Sequence, residues 1–236
     1  MAKRVILAVA GAGKTYHICH EIDPQKRNLI LAFTHENIHN IQKELYDAYK
    51  CMPELTTVAT FDSFVYHELI LPYEPSIGEH FGQPGFVSCG ICMIDPPPQR
   101  IETKTGKSIA NPLYEPKDQL AHYITDRKQY YCATLSELAL QVKKKRESLI
   151  KRVAARLNMF YDCVLIDEFQ DFREHDYDLI IALAKQLNDV VLVGDYYQHS
   201  VSATNNSGRP FKKKSVDVSY DEFIGELERA GFEVDI

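Results

Sequence analysis

Short apolar runs recur along the chain, and the stretches between them bring apolar residues back every three or four positions. The runs are Val5-Ile6-Leu7, Asn28 to Phe33, Cys163 to Ile166 and Val190 to Val193, and Thr56 to Thr60 reads as a further short strand. Runs with so little polar alternation suit strands buried on both faces, as in parallel sheets covered by helices. Between them, Thr15 to Ile22 reads as a helix ended by Asp23-Pro24, because the residue before proline is pushed out of helical geometry. Ile38, Ile41, Leu45 and Ala48 mark a second helix, and Leu179 to Leu187 another. Strand, helix, strand, helix, strand predicts an α/β fold with a doubly wound parallel sheet.

The rhythm breaks between Pro72 and Pro116, a segment that holds eight of the eleven prolines. A loop-dominated insertion without a regular helix is expected there. Helix is predicted again over Asp118 to Tyr131. Thr134-Leu135-Ser136-Glu137 then reads as a capping box that opens a long helix with the apolar face Leu138, Val142, Leu149, Val153 and Leu157. The same stretch is strongly basic through Lys143, Lys144, Lys145, Arg146, Lys151, Arg152 and Arg156, which fits either a solvated helix face or a nucleic-acid contact. The expected organisation is a discontinuous core, residues 1–70 and 160–236, with an inserted subdomain over 71–159.

Composition is that of an ordinary folded chain, 45% hydrophobic and 25% charged. The net charge of −6 gives no hint of a nucleic-acid partner, although a whole-chain average hides local patches. No run is long enough to span a membrane, and the first strand begins without a signal-peptide pattern, so a cytoplasmic location with no membrane partner is expected. Six cysteines fit reduced thiols. Of these only Cys89 and Cys92 have ligand spacing, and without a second pair the alternatives are a metal site assisted by His80 or a turn with two buried thiols.

Candidate chemistry gathers where strands end. Val5-Ile6-Leu7 opens through Ala8-Val9-Ala10-Gly11-Ala12-Gly13 into Lys14-Thr15. Small residues let backbone N–H groups close around phosphates, and the following helix points its positive end at them. Ala10, Gly11, Ala12, Gly13, Lys14 and Thr15 are thus candidate nucleotide-binding residues, with Lys14 on the β- and γ-phosphates and the Thr15 hydroxyl on Mg²⁺. Asp167, at the tip of the Cys163–Ile166 run, is placed to share that Mg²⁺; Glu168 could take a proton from an attacking water. Gly194-Asp195-Tyr196-Tyr197-Gln198 follows another strand, and Gln198 could sense the γ-phosphate. Lys14, Glu168 and Gln198 are the candidate catalytic residues, and ATP with Mg²⁺ the expected ligands.

These segments resemble, in order, the motifs of UvrD/PcrA-type superfamily 1 DNA helicases. Ala8 to Thr15 is similar to motif I, Phe33-Thr34-His35-Glu36-Asn37 to motif Ia, Thr60-Phe61-Asp62-Ser63-Phe64 to Ib, Asp167 to Asp171 to II, and Gly194 to Gln198 to III. The resemblance implies a RecA-like P-loop NTPase core, a parallel sheet flanked by helices, with a mostly helical and loop insertion. It implies that Phe33, Thr34, Thr60, Ser63, Phe64 and His199 lie on the face that meets single-stranded DNA, where phosphate contacts and base stacking are required. Core packing is the competing reading for Phe33 and Phe64.

Three departures qualify that resemblance. The glutamine segment that reads adenine in relatives is missing before Val5, and the polar stretch Val201 to Gly208 stands where relatives carry base-stacking aromatics. The sequence given also stops at Ile236, where relatives continue to a second RecA-like core that supplies arginines worth about 10³ to 10⁵ in rate in comparable systems. The expectation is a first motor core, completed by a second core in the same longer chain, that acts on single-stranded DNA and duplex junctions. A DNA-dependent ATPase subunit completed in trans, or a nucleotide-binding interaction module without motor work, are the alternatives.

Overall fold

The computed structural model describes residues 3–9, 13–144, 147–172, 174–198, 209–213 and 216–235. It divides into two units, one of Met1–Phe64 with Ile150–Ile236 and one of Val65–Leu149.

The first unit is built on a six-stranded parallel sheet. Its strands are β1 (Lys3–Leu7), β2 (Asn28–Ala32), β3 (Thr56–Thr60), β4 (Cys163–Ile166), β5 (Val190–Gly194) and β6 (Glu233–Asp235), in the spatial order β6-β1-β5-β4-β2-β3. All neighbours run parallel, with Val5 opposite Leu192 and Leu165 opposite both Val191 and Ile30. Every residue of β2 and of β5 is buried, which explains their unbroken apolar runs. Helices α1 (Lys14–Glu21) and α2 (His35–Tyr49) close one core through Ile18, Cys19, Ile41 and Leu45, which pack with Ile30, Leu165 and Val191. A single helical turn, Phe61–Phe64, follows β3, and longer helices are α3 (Leu149–Phe160), α4 (Glu174–Ala184) and α5 (Tyr220–Arg229). The expected fold class is therefore the observed one, a RecA-like α/β sheet flanked by helices.

Two elements of this unit have no counterpart in the sequence reading. Acidic residues (Asp217, Asp221, Glu222, Glu226, Glu228, Glu233 and Asp235) dominate the last stretch of the sequence, yet Ser219 caps α5 by accepting from the Glu222 N–H, Phe223 and Leu227 face the core, and Glu233–Asp235 pairs with β1. The acidic residues hid a 3.6-residue apolar repeat, of which Phe223 and Leu227 are the buried members.

The second unit corrects three expectations. Its Pro-rich part does contain a helix, Glu74–His80, after a π-helical turn over Val65–Ile70 and a 3₁₀ turn over Leu71–Tyr73. Pro72 and Pro75 lie in first turns, where no backbone N–H is needed. The helix expected over Asp118 to Tyr131 is absent. A 3₁₀ turn, Leu120–His122, leads instead to a tight loop in which the Thr125 hydroxyl accepts from the N–H groups of Arg127 and Gln129, and Tyr130–Tyr131 pairs with Ile91–Cys92. Local side-chain bonds of this kind compete with helix.

Nor does one long helix follow the capping box. The Thr134 hydroxyl donates to the Tyr131 carbonyl, helix Leu135–Gln141 stops, and Lys143–Lys144 pairs antiparallel with Glu147–Ser148 before α3 begins. The hairpin register sets Lys143 opposite Ser148 and Lys144 opposite Glu147, and helix resumes only at Leu149. Leu138, Val142, Leu149, Val153 and Leu157 are nonetheless all buried. Their spacing identified core positions while the element was misassigned. Among the described residues no helix is long and apolar enough to cross a membrane.

Candidate functional site

Because β1, β5 and β4 are neighbours, their carboxyl ends bring together segments far apart in sequence. Gly13 stands at the entrance to α1 with φ +78, a left-handed conformation that a side chain would strain, and its carbonyl accepts from His17 N–H at 2.8 Å. Lys14 and Thr15 follow in the first turn of the helix. Ala10, Gly11 and Ala12 lie outside the described residues.

From that first turn, the Thr15 hydroxyl donates to Asp167 Oδ2 at 3.2 Å, across 152 positions of sequence. Lys14 Nζ lies 3.4 Å from Glu168 Oε2 and 3.9 Å from Asp195 Oδ2. The Lys14 and Asp195 side chains are only 7% and 3% exposed, so these charges meet almost out of water. Asp167 is 2% exposed, and burial, with the Glu168 charge as a second cause, pushes its carboxyl up to about 6 from 3.8. Glu168 itself adopts φ +50, an uncommon backbone state for a residue with a side chain. The positive φ breaks the chain direction directly after β4, so that Asp167 and Glu168 point to different partners.

Two further residues of this cluster had no role assigned from sequence. Gln170 Nε2 donates to Glu168 Oε2 at 2.6 Å, while its Oε1 accepts from the Asp195 N–H at 2.9 Å. Asp195 Oδ1 accepts from the Tyr197 N–H at 2.9 Å, and its carbonyl accepts from the Gln198 N–H at 3.2 Å. Gln198 ends the resulting 3₁₀ turn, Tyr196–Gln198, and is exposed. For Asp195 the available signal was its place directly after a buried strand, at the ligand-binding edge of a parallel sheet; Gln170, on the turn beyond the two acids, carries no such mark.

The residues expected at nucleic acid are distributed unevenly. Phe33 is half-buried with its ring edge-on to Phe172 at 5.8 Å, and Thr34 is exposed while its hydroxyl caps α2 by accepting from Asn37 N–H. Thr60 and Ser63 are half-buried, and the Thr60 hydroxyl accepts from Ser63 N–H at 3.3 Å. Phe64 is 3% exposed, beside Phe61, so its ring belongs to the core and offers no face to a base. His199 lies outside the described residues. In the second unit Cys89 is exposed and Cys92 half-buried, which corrects the reading of two buried thiols. Among the described residues no group of three His, Cys, Asp or Glu side chains could hold a metal.

The donor set at the strand ends fits Mg²⁺ and a nucleoside triphosphate. Mg²⁺ takes hard oxygens and is usually held by one or two protein groups plus phosphates and waters; Thr15 and Asp167 present two such oxygens side by side. Asp167 also carries a charge that burial disfavours and a cation would stabilise.

A search of curated proteins returns no match to the chain. The profile of a protein family described as an AAA domain matches residues 2–204, a span that contains both strand-end motifs and the phosphate loop. By that match this chain belongs to the AAA-domain family, among the helicase-like P-loop nucleotide-binding proteins.

Proposed function

We infer that the chain is the ATP-binding first motor core of a superfamily 1 DNA helicase of the UvrD/PcrA type. The observation that carries this reading is the meeting of Lys14, Thr15, Asp167, Glu168 and Asp195 at three adjacent strand ends, with Gln198 one turn away. Lys14 leaves Glu168 and Asp195 to hold the β- and γ-phosphates, which frees the Glu168 carboxylate to accept a proton from water. Thr15 and Asp167 would hold Mg²⁺, which would supply charge neutralisation for the phosphoryl group. Gln198, exposed on its turn, contacts the terminal phosphate or the attacking water. Phe33, Thr34, Thr60 and Ser63 contribute to the surface for single-stranded DNA, and a second RecA-like core, in the same longer protein or in a partner, supplies arginines and the other wall of the cleft.

Support for hydrolysis over binding alone comes from Glu168, since capture of MgATP needs no carboxylate next to Lys14. The test is MgATP binding and hydrolysis by the purified chain, with and without single-stranded DNA, beside Glu168→Gln. The expected result is Mg²⁺-dependent binding and slow turnover that falls about 10²- to 10⁴-fold in the variant. Binding without any turnover would favour the interaction module.

A further inference from the structure

Gln170 is 5% exposed and lies on the single 3₁₀ turn Phe169–Asp171 that follows the two acids. Its two hydrogen bonds determine each other. A backbone N–H can only donate, so the amide oxygen must face Asp195, and the NH₂ group must then face Glu168. The second bond is charge-assisted and short, which restricts the carboxylate more than a neutral contact would.

The amide is also confined. A methyl group built on Gly194 would lie 2.5 Å from Gln170 Oε1 and 2.6 Å from the Phe169 ring, so the end of β5 presses directly against this turn. On the other side Asp195 anchors the turn that ends in Gln198. One buried side chain thus joins the strand end that carries Gln198 to the carboxylate beside Lys14.

The geometry points to Gln170 as a positioning residue for hydrolysis. It orients the Glu168 carboxylate and links that orientation to the end of β5, so a shift of the Asp195–Gln198 turn is transmitted to Glu168. The assignment rests on the proposed role of Glu168 as the proton acceptor.

Gln170→Glu keeps the volume and an oxygen for the Asp195 N–H but sets an acceptor against Glu168 in place of a donor. Single-turnover MgATP hydrolysis is expected to fall about 10- to 100-fold, with the nucleotide Kd within about threefold of wild type. In a Glu168→Gln background the same substitution should cause no further loss, because both changes act on one proton-accepting group. An equal loss in both backgrounds, or a Kd change as large as the rate change, overturns the assignment and leaves Gln170 a residue that merely holds the fold.

Amide hydrogen exchange of the nucleotide-free chain supplies a readout that needs no turnover. Gln170→Met removes both bonds, and residues 194–198 should exchange about tenfold faster or more while the strand interiors keep their protection. Unchanged exchange there overturns the link to β5. A wild-type chain that binds MgATP but hydrolyses none overturns the role of Glu168 itself. Hydrolysis lost in Glu168→Gln and untouched in Gln170→Glu overturns that of Gln170 alone.

Discussion

At the amino ends of the strands Arg27 grips Asp162 through Nε at 3.1 Å and through a terminal nitrogen, and the side chains remain 43% and 39% exposed. At the carboxyl ends Lys14 faces Glu168 and Asp195 with almost no water around it. The guanidinium hydrogen bond holds the Asp162 carboxyl down at about 2, whereas burial drives Asp167 up to about 6. A charge that is comfortable in the free protein indicates a structural pair. A charge that is uncomfortable there indicates a place prepared for something else, here phosphates and a cation.

The contrast can be broken most forcefully at Lys14. Lys14→Ala leaves buried carboxylates without their cation, so the nucleotide-free chain should lose about 3–5 kcal/mol of stability, and MgATP affinity should fall at least about a hundredfold. Denaturant unfolding and calorimetric titration check both. An unaltered unfolding midpoint would mean that the ion pairs contribute nothing to the free protein.

Asp167→Asn should act in the opposite direction on stability. A carboxyl whose folded value lies above its unfolded value favours the folded chain when protonated, so its contribution is complete below about 3.8 and is lost as pH rises through about 6. In metal-free buffer at pH 8 the variant should therefore exceed wild type by about 1–3 kcal/mol, with the gap closing towards pH 4, while Mg²⁺-dependent nucleotide binding disappears. Thermal midpoints measured across that range decide it, and a gap independent of pH would remove the titration of Asp167 as its source.

Gly194→Ala should cost about 1–3 kcal/mol through overpacking against Phe169 and Gln170, with a small-to-large change away from the site, Gly225→Ala, as the comparison. Nothing lies within 4 Å of a Cβ at Gly225, which is in a helix, so that substitution should be neutral or stabilising. The smallest effect is expected at the amino end. Asp162→Asn should leave nucleotide binding and turnover unchanged at neutral pH, and the stability it removes should be present above the ordinary carboxylate range and vanish as pH falls towards about 2.

How far the chain could be read follows from what enforces each element. Interior strands of the sheet, covered on both faces, have to be apolar, so Asn28–Ala32 and Cys163–Ile166 were legible almost to the residue, while Thr56–Thr60, an edge strand without a buried residue, was marked by its β-branched threonines and valine. The second unit is enforced by single contacts, such as the Thr125 hydroxyl that ends a would-be helix, and no periodicity records these. At the site, Lys14, Thr15, Asp167 and Glu168 could be named because each follows a strand at a motif spacing. Gln170 could not, since its importance lies in a distance to Asp195, which is 25 positions away and reached only across the sheet. Phe64 shows the converse: motif position suggested exposure, and burial decided otherwise.

The pairing of β1 has a consequence for how the protein is made. Its hydrogen-bonding neighbours are Val190–Gly194 and Glu233–Asp235, so the strand that leads into the phosphate loop is synthesised long before either partner. Until those residues leave the ribosome, β1 is an open, apolar edge, the kind of surface that invites wrong pairing. The high sequence separation also delays closure of the nucleotide site, because loop-closure entropy must be overcome before the strand contacts repay it. Assembly of the site thus waits for β5, and translation that halts before β5 and β6 emerge leaves β1 without either of its sheet neighbours.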